Sequence, residues 1–287
     1  MFFTASVLPV AVGTAVGAKA SGTFDGAALA LALASVVCVH AAVNVFNDVC
    51  DSRSGGDRAN VDRIHPFTGG SRFIQNGVLG EKEMTRLAFA LLGAGIVLGI
   101  VLFALKGWAV LAFGVFGVGL GFLYSGTPVR LAGRGIGEAA VGIGFGLLPV
   151  VGSAWLQAGT IVPLAILLSL PLGCWIAAVL IANEVPDAVS DEGAGKRTLV
   201  VRLGSGGTRI LYVAVQAAAL LILGGGVWLG LVPGWGLAVP TVLLGLAGWA
   251  ARGLARPHEA LARAIKMTLA VHFAGGLWLC LLAATAG

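Results

Sequence analysis

The sequence predicts an all-α polytopic membrane protein, and three properties of the chain point to this fold class. Of its 287 residues, 58% are hydrophobic and only 11% are Asp, Glu, Lys or Arg, whereas a soluble domain carries about 25% charged residues. The mean hydropathy is +0.97. The 45 glycines fit membrane helices, which tolerate glycine better than soluble helices do. This composition excludes a soluble enzyme, a disordered chain and a disulfide scaffold.

Nine apolar segments follow one another along the chain, and a helix needs about 20 mostly apolar residues to cross the hydrocarbon core. The first lacks a basic region before it, so we predict a retained helix rather than a cleaved signal. The eighth is the weakest because Pro233 and Pro240 interrupt its start. We expect residues 1–287 to form one domain with about nine transmembrane helices around a central cavity. The predicted spans are 2–18, 26–46, 86–105, 107–124, 136–157, 161–183, 208–231, 234–251 and 266–286.

The basic residues orient these spans. Sixteen of the 18 Lys and Arg residues fall in or beside the loops after spans two, four, six and eight, and Lys19 and Lys106 remain for the other side. By the positive-inside rule, we place the N-terminus and these loops in the cytoplasm and the C-terminus outside, in a cell inner membrane. The net charge of +5 forms no basic stripe with interleaved aromatics, so we predict no nucleic-acid partner.

The acidic residues gather in the two long polar loops, 47–85 and 184–207. Four of the 13 Asp and Glu residues fall within 48–62 and four within 184–192. The first acids of both windows belong to the motif Asn-acid-Val-x-Asp, which begins at Asn47 and at Asn183. Asn47 and Asp51 are spaced i,i+4, and so are Asn183, Asp187 and Asp191 in series, so each set is expected to line one helix face.

Stacked carboxylates repel one another unless a cation neutralises them. Oxygen donors without His or Cys suit a hard ion, and Mg²⁺ prefers a few carboxylates together with phosphate oxygens of a substrate. We therefore predict that the two clusters hold Mg²⁺ ions that bridge one diphosphate; helix capping or headgroup contact is the alternative. Pro186 is expected to kink or end the second helix. The predicted metal ligands are Asn47, Asp48, Asp51, Asp57, Asn183, Asp187 and Asp191.

Basic residues follow both clusters, and Arg and Lys side chains can hold phosphate oxygens. The alternative for any one of them is a topology signal or contact with lipid headgroups. The predicted diphosphate-binding residues are Arg63, Arg72, Arg130, Lys196 and Arg197.

Taken together, these motifs resemble those of a known family of membrane enzymes. The pattern Asn47-Asp48-x-x-Asp51-x5-Asp57, paired with Asp187-x3-Asp191-x4-Lys196-Arg197, resembles the UbiA superfamily of intramembrane prenyltransferases. The nine-span plan is similar too. Segments 69–79, 124–131 and 195–204 resemble the 1,4-dihydroxy-2-naphthoate (menaquinone-pathway) branch more than the 4-hydroxybenzoate branch. The latter tends to have Lys where this chain has Pro128, and Glu184 stands where an amide or apolar residue is usual.

The resemblance implies Mg²⁺-assisted ionisation of a prenyl diphosphate, followed by attack of an aromatic, quinone-precursor acceptor on the allylic cation. It implies that Asp51 and Asp187 are catalytic through their metals and that Tyr124 lies near the reacting allyl end. Such a cation needs a dry cavity beside membrane lipid, and glycines such as Gly93, Gly95 and Gly99 would allow close helix packing around it.

Two further ionisable residues are candidates for acceptor binding. His40 lies inside span two, seven residues before Asn47, and ionisable residues within a span are functional candidates by default. Glu138 begins span five. The alternatives are a neutral hydrogen-bonded histidine and an acid stabilised by the helix dipole.

Two other functions fit parts of the pattern. A UbiA-like terpene cyclase needs the same ionisation apparatus but no acceptor, so the aspartates do not distinguish it. A secondary transporter is the third hypothesis, but transporters bind near the bilayer midplane on broken helices, whereas both clusters here close the cytoplasmic ends of spans.

Overall fold

A computed structural model of the chain describes residues 3–55, 60, 63–256 and 258–285. Every regular element in these ranges is helical, which confirms the predicted all-α class. The helices of the first half are α1 (Thr4–Ser21), α2 (Gly26–Ser54), α3 (Glu81–Lys106), α4 (Ala109–Ser125), α5 (Gly137–Gly142) and α6 (Leu148–Ala158). Those of the second half are α7 (Pro163–Glu184), α8 (Ala188–Gly193), α9 (Leu199–Trp228), α10 (Ala238–Ala251) and α11 (His258–Thr285).

Local sequence explains several helix ends. Asp25 caps α2, because its carboxylate accepts the backbone N–H of Ala28 at 2.9 Å. Thr198 caps α9 in the same way through the N–H of Val201. Pro186 follows the end of α7, as predicted, and Pro233 precedes a 3₁₀ turn that delays the start of α10.

Seven helical segments in the described ranges are long and apolar enough to cross a membrane. The predicted number of nine is not confirmed, since Ala109–Ser125 is shorter and Thr4–Ser21 is not among the seven. Helices α5 and α6 count as one, because the π-helical turn Ile143–Leu147 joins them. The seven are Gly26–Ser54, Glu81–Lys106, Gly137–Ala158, Pro163–Glu184, Leu199–Trp228, Gly234–Ala251 and His258–Thr285.

Helix α7 lies at the centre of the core. Its side chains Leu168, Leu172 and Trp175 are buried, and α9 and α11 pack on it. Helix α1 packs on α6, and α2 packs on α3. The outer faces carry exposed apolar side chains such as Val97 and Phe116, as expected where a helix meets lipid.

The two polar loops are shorter than predicted. Helix α2 continues through Ser54, so the first acidic motif lies in its last turns, and α9 begins at Leu199 rather than at 208. The second motif is divided, because α7 ends at Glu184 and α8 begins at Ala188. The prediction that Asn183 shares one helix face with Asp187 and Asp191 was therefore wrong.

Candidate active site

The first acidic motif is held by contacts along α2 and from its neighbours. The Asn47 side-chain amide donates to Asp51 Oδ2 at 3.1 Å, so the i,i+4 pair shares a face as predicted. The Ser125 hydroxyl, at the end of α4, donates to Asn47 Oδ1 at 2.6 Å. Asp48 accepts the backbone N–H of Ser71 at 3.2 Å, which ties the following loop back onto the helix. Asp57 lies outside the described residues.

The second motif spans the break between α7 and α8. Asp187 precedes α8, and its carboxylate accepts a hydrogen bond of 2.6 Å from the side-chain amide of Asn60. Asp191 lies within α8 and is buried. The chain then turns so that the backbone N–H of Lys196 donates to the carbonyl of Asp191 at 2.8 Å. This turn aims the lysine side chain back at the acids.

Lys196 brings the two motifs together. Its Nζ lies 2.9 Å from Asp51 Oδ1 and 3.1 Å from Asp191 Oδ1. One carboxylate comes from α2 and the other from α8, 140 positions later in the chain. A single cation thus already bridges the two predicted clusters at one end of the bundle.

Burial sets the charge state of this group. It raises the pKa of Asp187 to about 6, although the hydrogen bond from Asn60 works in the opposite direction. Burial also raises the pKa of Asp191, against the opposing effect of Lys196. Burial alone would lower the pKa of the Lys196 ammonium, but Asp51 and Asp191 together raise it above its ordinary value. The lysine therefore stays protonated at neutral pH.

The predicted diphosphate-binding residues surround these acids unevenly. Arg72 donates from Nη1 to the carbonyl of Asn60 at 3.3 Å, and Arg130 is close enough to influence Asp191 electrostatically. Both arginines have positive φ, 57° and 43°, a conformation that is costly for a residue with a Cβ. Arg63 is half-buried, whereas Arg197 is exposed and contributes its backbone N–H to the carbonyl of Gly133.

Tyr124 lies beside two buried acids. Glu138 and Glu184 are neighbours, each less than a tenth exposed, and both influence Tyr124 electrostatically. Glu138 Oε1 accepts the backbone N–H of Leu199 at 3.0 Å, so it positions the start of α9. Within the described part of the chain, the Oε2 atoms of Glu138 and Glu184 have no hydrogen-bond partner. The predicted acceptor residue Glu138 therefore lies near Tyr124 and the acidic group.

His40 is buried deeper in α2 and is held by structural contacts. Its Nδ1 lies 2.6 Å from the Ser6 hydroxyl, and its ring packs edge-on against Phe3 and Phe145. Seven residues of helix separate it from Asn47, which is about 10 Å along the axis. The structure does not bring His40 into the acidic group.

The donor set fits Mg²⁺ held jointly with a substrate. The acids offer carboxylate oxygens, and the amide oxygen Oδ1 of Asn60, whose side-chain nitrogen donates to Asp187, is buried and lacks a hydrogen-bond donor within the described ranges. The buried Asn183 Oδ1, near the end of α7, also lacks a donor there. No group of three or more acidic, His or Cys residues in those ranges forms a protein-only metal cage. That arrangement is typical of Mg²⁺, which takes one or two carboxylates and completes its coordination with phosphates and water.

Sequence reasoning missed the residues that orient the acids. Ser125, Asn60 and Thr68 belong to no periodic pattern, and their partners lie far away in sequence or depend on how a loop folds. Ser125 adjoins Tyr124, which was the one available signal. The role of Asn60 was not visible, because it depends on the path of the loop after α2.

The fold and this site define a helical membrane protein with an acidic, lysine-bridged centre at one end of its bundle. Comparison with known proteins then gives the family. The UbiA prenyltransferase family matches residues 6–284, and the chain belongs to it. This confirms the family resemblance and the prediction of a prenyltransferase at the level of the family.

Individual relatives agree with this assignment to the family. A 1,4-dihydroxy-2-naphthoate octaprenyltransferase of Bacillus subtilis (strain 168) is 30% identical over 232 residues, covering 81% of this chain and 72% of the relative. The Escherichia coli (strain K12) protein of the same name is 33% identical, covering 75% and 69%.

Solved structures share the fold. A UbiA homolog from Aeropyrum pernix K1, in an apo structure, gives a TM-score of 0.66 at 20% identity, covering 96% of this chain and 94% of that one. A UbiA homolog from Archaeoglobus fulgidus bound to GPP and Mg²⁺ gives 0.60 at 16% identity, covering 97% and 95%.

Proposed function

We propose that the protein transfers an isoprenyl group from a prenyl diphosphate to an aromatic acceptor of the quinone-precursor type, in a Mg²⁺-dependent reaction. The observation that carries this proposal is the position of Lys196 Nζ, within 3.1 Å of a carboxylate from each acidic motif. Two acid clusters that meet around one ammonium group would bind Mg²⁺ ions, and those ions would in turn bind an anionic substrate.

The donor half of the site would be built from carboxylates and basic residues. Asp48, Asp51, Asp187 and Asp191 would hold Mg²⁺, with Asn47 and Asn183 as further oxygen donors and Asp57 as an additional candidate. The metal supplies charge neutralisation for the departing diphosphate. Lys196 would donate to a phosphate oxygen, and its position between carboxylates keeps it protonated for that task. The other expected diphosphate-binding residues are Arg63, Arg72, Arg130 and Arg197.

The acceptor half would lie toward Tyr124. Its ring carbon Cε2 is 3.5 Å from where a Cβ on Gly137 would stand, so the ring lies against the start of α5. An aromatic face there would stabilise the allylic cation while it awaits attack. Glu138 and Glu184 would accept hydrogen bonds from acceptor hydroxyls. The names of the relatives support a 1,4-dihydroxy-2-naphthoate-type acceptor, and the GPP- and Mg²⁺-bound homolog supports a prenyl diphosphate donor.

The test is a product assay with purified protein in lipid. With Mg²⁺, a prenyl diphosphate and 1,4-dihydroxy-2-naphthoate, we expect release of diphosphate and a prenylated aromatic product, in which the new C–C bond replaces either a ring proton or the carboxylate, lost as CO₂. Asp51→Asn and Asp187→Asn should lower the rate by at least about 100-fold, the loss typical of removing one electrostatic stabiliser. Asp25→Asn is the matched control, because Asp25 pairs with Lys106 at 2.8 Å, away from the site.

Two results would overturn the proposal. Full activity in Asp51→Asn and Asp187→Asn would remove the metal assignment. A cyclic hydrocarbon formed from the diphosphate alone, with no consumption of the phenol, would make the protein a cyclase instead.

A further inference from the structure

Hydrogen bonds join the loop between α4 and α5 to the turn between α8 and α9. The guanidinium of Arg202, in the first turns of α9, donates from Nε to the carbonyl of Arg197 at 2.9 Å and from Nη2 to the carbonyl of Arg134 at 2.8 Å. Arg134 in turn donates from Nη2 to the carbonyl of Pro128 at 2.7 Å. The backbone N–H of Arg197 adds a bond of 2.8 Å to the carbonyl of Gly133. Arg134 and Arg202 thus form an arginine brace between two segments that are 68 residues apart in sequence.

Two glycines allow the loop to come this close. Gly135 has φ 72°, a conformation that favours glycine. A Cβ there would lie 3.1 Å from Arg202 Nε and 3.2 Å from the carbonyl oxygen of Arg197, between the donor and the acceptor of one brace contact. A Cβ on Gly133 would lie 3.5 Å from Lys196 Cγ, which is ordinary contact. The loop therefore packs directly against the lysine that bridges the two acidic motifs.

The brace fixes a part of α9 that the helix itself does not. Gly204 has φ 63° and ψ −176°, which interrupts α9 two residues after Arg202. An unbroken helix would set the direction of its first turns through its own hydrogen bonds, and the break removes that constraint. The contact of Arg202 with Arg134, together with the bond from the Leu199 N–H to Glu138, ties these turns to the loop and to the start of α5 instead.

The brace also joins two cations of the proposed diphosphate site. Lys196 lies in the turn that Arg202 contacts, and Arg130 lies in the loop on the other side of the brace. Lys196 pairs with Asp191, which Arg130 also influences electrostatically. We propose that Arg202 is a positioning residue for prenyl diphosphate, because it holds Arg130 and Lys196 at the separation at which both bind one diphosphate. This inference rests on the proposed function, and Arg202 acts through the two cations rather than by touching the substrate.

Steady-state kinetics with protein in lipid separate positioning from stability. Arg202→Gln removes both brace contacts, so the KM for prenyl diphosphate should rise about tenfold, a loss typical of hydrogen bonds from a charged group. The KM for the acceptor should stay unchanged, because Tyr124 and Glu138 lie in α4 and α5 rather than in the loop.

Two further variants distinguish geometry from charge. Arg202→Lys keeps the charge but loses the planar fork, so its KM for prenyl diphosphate should rise about threefold. Arg209→Gln removes an exposed arginine seven residues further along α9 and is the matched control, with no change expected in either KM. Full recovery in Arg202→Lys would show that charge alone acts. A lower melting temperature in Arg202→Gln with both KM values unchanged would show a merely structural role. Either result would overturn the proposal.

A distance measurement tests the brace independently of turnover. Nitroxide labels at the exposed positions Thr127→Cys and Glu192→Cys, in a variant whose four native cysteines are replaced by alanine, report the separation of the loop and α8 by double electron–electron resonance. We expect a narrow distance distribution with Arg202, a broader one in Arg202→Gln, and no broadening in Arg209→Gln. Equal widths in all three would overturn the proposal. If the wild type forms no prenylated product, the proposed function fails, while these widths still decide whether Arg202 holds the two segments together.

Discussion

At the scale of single residues, Lys196 is the contact on which the site depends. Replacement by glutamine would leave Asp51 and Asp191 without the ammonium that lies 2.9 Å and 3.1 Å from them, and the carboxylates would repel each other. We expect Lys196→Gln to lower the transfer rate at least about 100-fold, measured as prenylated product per minute. Lys82→Gln, an exposed lysine in the first turn of α3, is the control. More than about a tenth of wild-type activity in Lys196→Gln would contradict this role.

The raised pKa of Asp187 predicts that metal binding depends on pH. Its pKa is raised by burial to about 6, so below that pH the carboxyl is protonated, and a proton competes with a metal for the same oxygen. Mg²⁺ affinity should therefore be nearly constant above pH 7 and should fall about tenfold per unit below pH 6. Titration calorimetry at several pH values measures this. Asp187→Asn should bind more weakly but without the same slope, and a flat profile in the wild type would refute the prediction.

Residue identities at the site were largely predictable, and their hydrogen-bond partners were not. Repeated Asn-acid-Val-x-Asp patterns and i,i+4 spacing pointed to Asn47, Asp51 and Asp191, because helix geometry converts spacing into shared direction. The bridge through Lys196 depends on a turn after α8. The donors Asn60 and Ser125 depend on how loops and helix ends meet, which no local periodicity encodes.

At the scale of elements, close helix contact rests on particular glycines. A Cβ on Gly17 of α1 would lie 2.2 Å from the carbonyl oxygen of Ala154 in α6, and one on Gly13 would lie 2.1 Å from that of Val150. Backbone atoms cannot rotate away, so the two helices would have to separate. We expect Gly17→Ala to destabilise the protein by about 1–3 kcal/mol, the usual cost of overpacking.

The matched control is Gly224→Ala in α9, where nothing lies within 4 Å of the added Cβ. There alanine should be neutral or slightly stabilising, because it is the better helix former by about 1 kcal/mol. Apparent melting temperatures in detergent measure the stability of both variants. Equal melting temperatures for the two variants would show that α1 and α6 tolerate separation.

The sequence predicted glycine packing in general terms, and the structure selects its positions. In α3, Gly95 would bring a Cβ to 2.7 Å from Val39, whereas nothing lies within 4 Å at Gly93 and the nearest atom at Gly99 is 3.9 Å away. Glycine content indicated membrane helices, but which face of α3 meets α2 depends on how α3 is rotated about its own axis. Apolar residues all round a helix do not specify that rotation.

At the scale of the whole molecule, the few charges divide between the two ends of the bundle. Lys106 pairs with Asp25 at 2.8 Å, and Lys19 donates to the carbonyl of Ala284 at 3.2 Å. These are the charged residues that the sequence assigned to the outer face. Asp25 caps the start of α2, whereas the first acidic motif lies in the last turns of the same helix, so these two groups of charges lie at its opposite ends. The charge asymmetry predicted this division because cytoplasmic loops retain Lys and Arg. The number of crossings was harder to predict, since short helices such as α4 fall near the length limit.

This division predicts which end faces the cytoplasm. Single cysteines placed at exposed positions, Thr23→Cys between α1 and α2 or Arg256→Cys between α10 and α11, would report the two sides in a variant whose four native cysteines are replaced by alanine. In spheroplasts, a membrane-impermeant maleimide should label Thr23→Cys at once and Arg256→Cys only after lysis, because the acidic-site end is predicted to be cytoplasmic. The reverse pattern would invert the topology and place diphosphate binding outside the cell. Labelling of both before lysis would mean that the two loops share one side, which the observed separation of the charges does not allow for a bundle that spans the membrane.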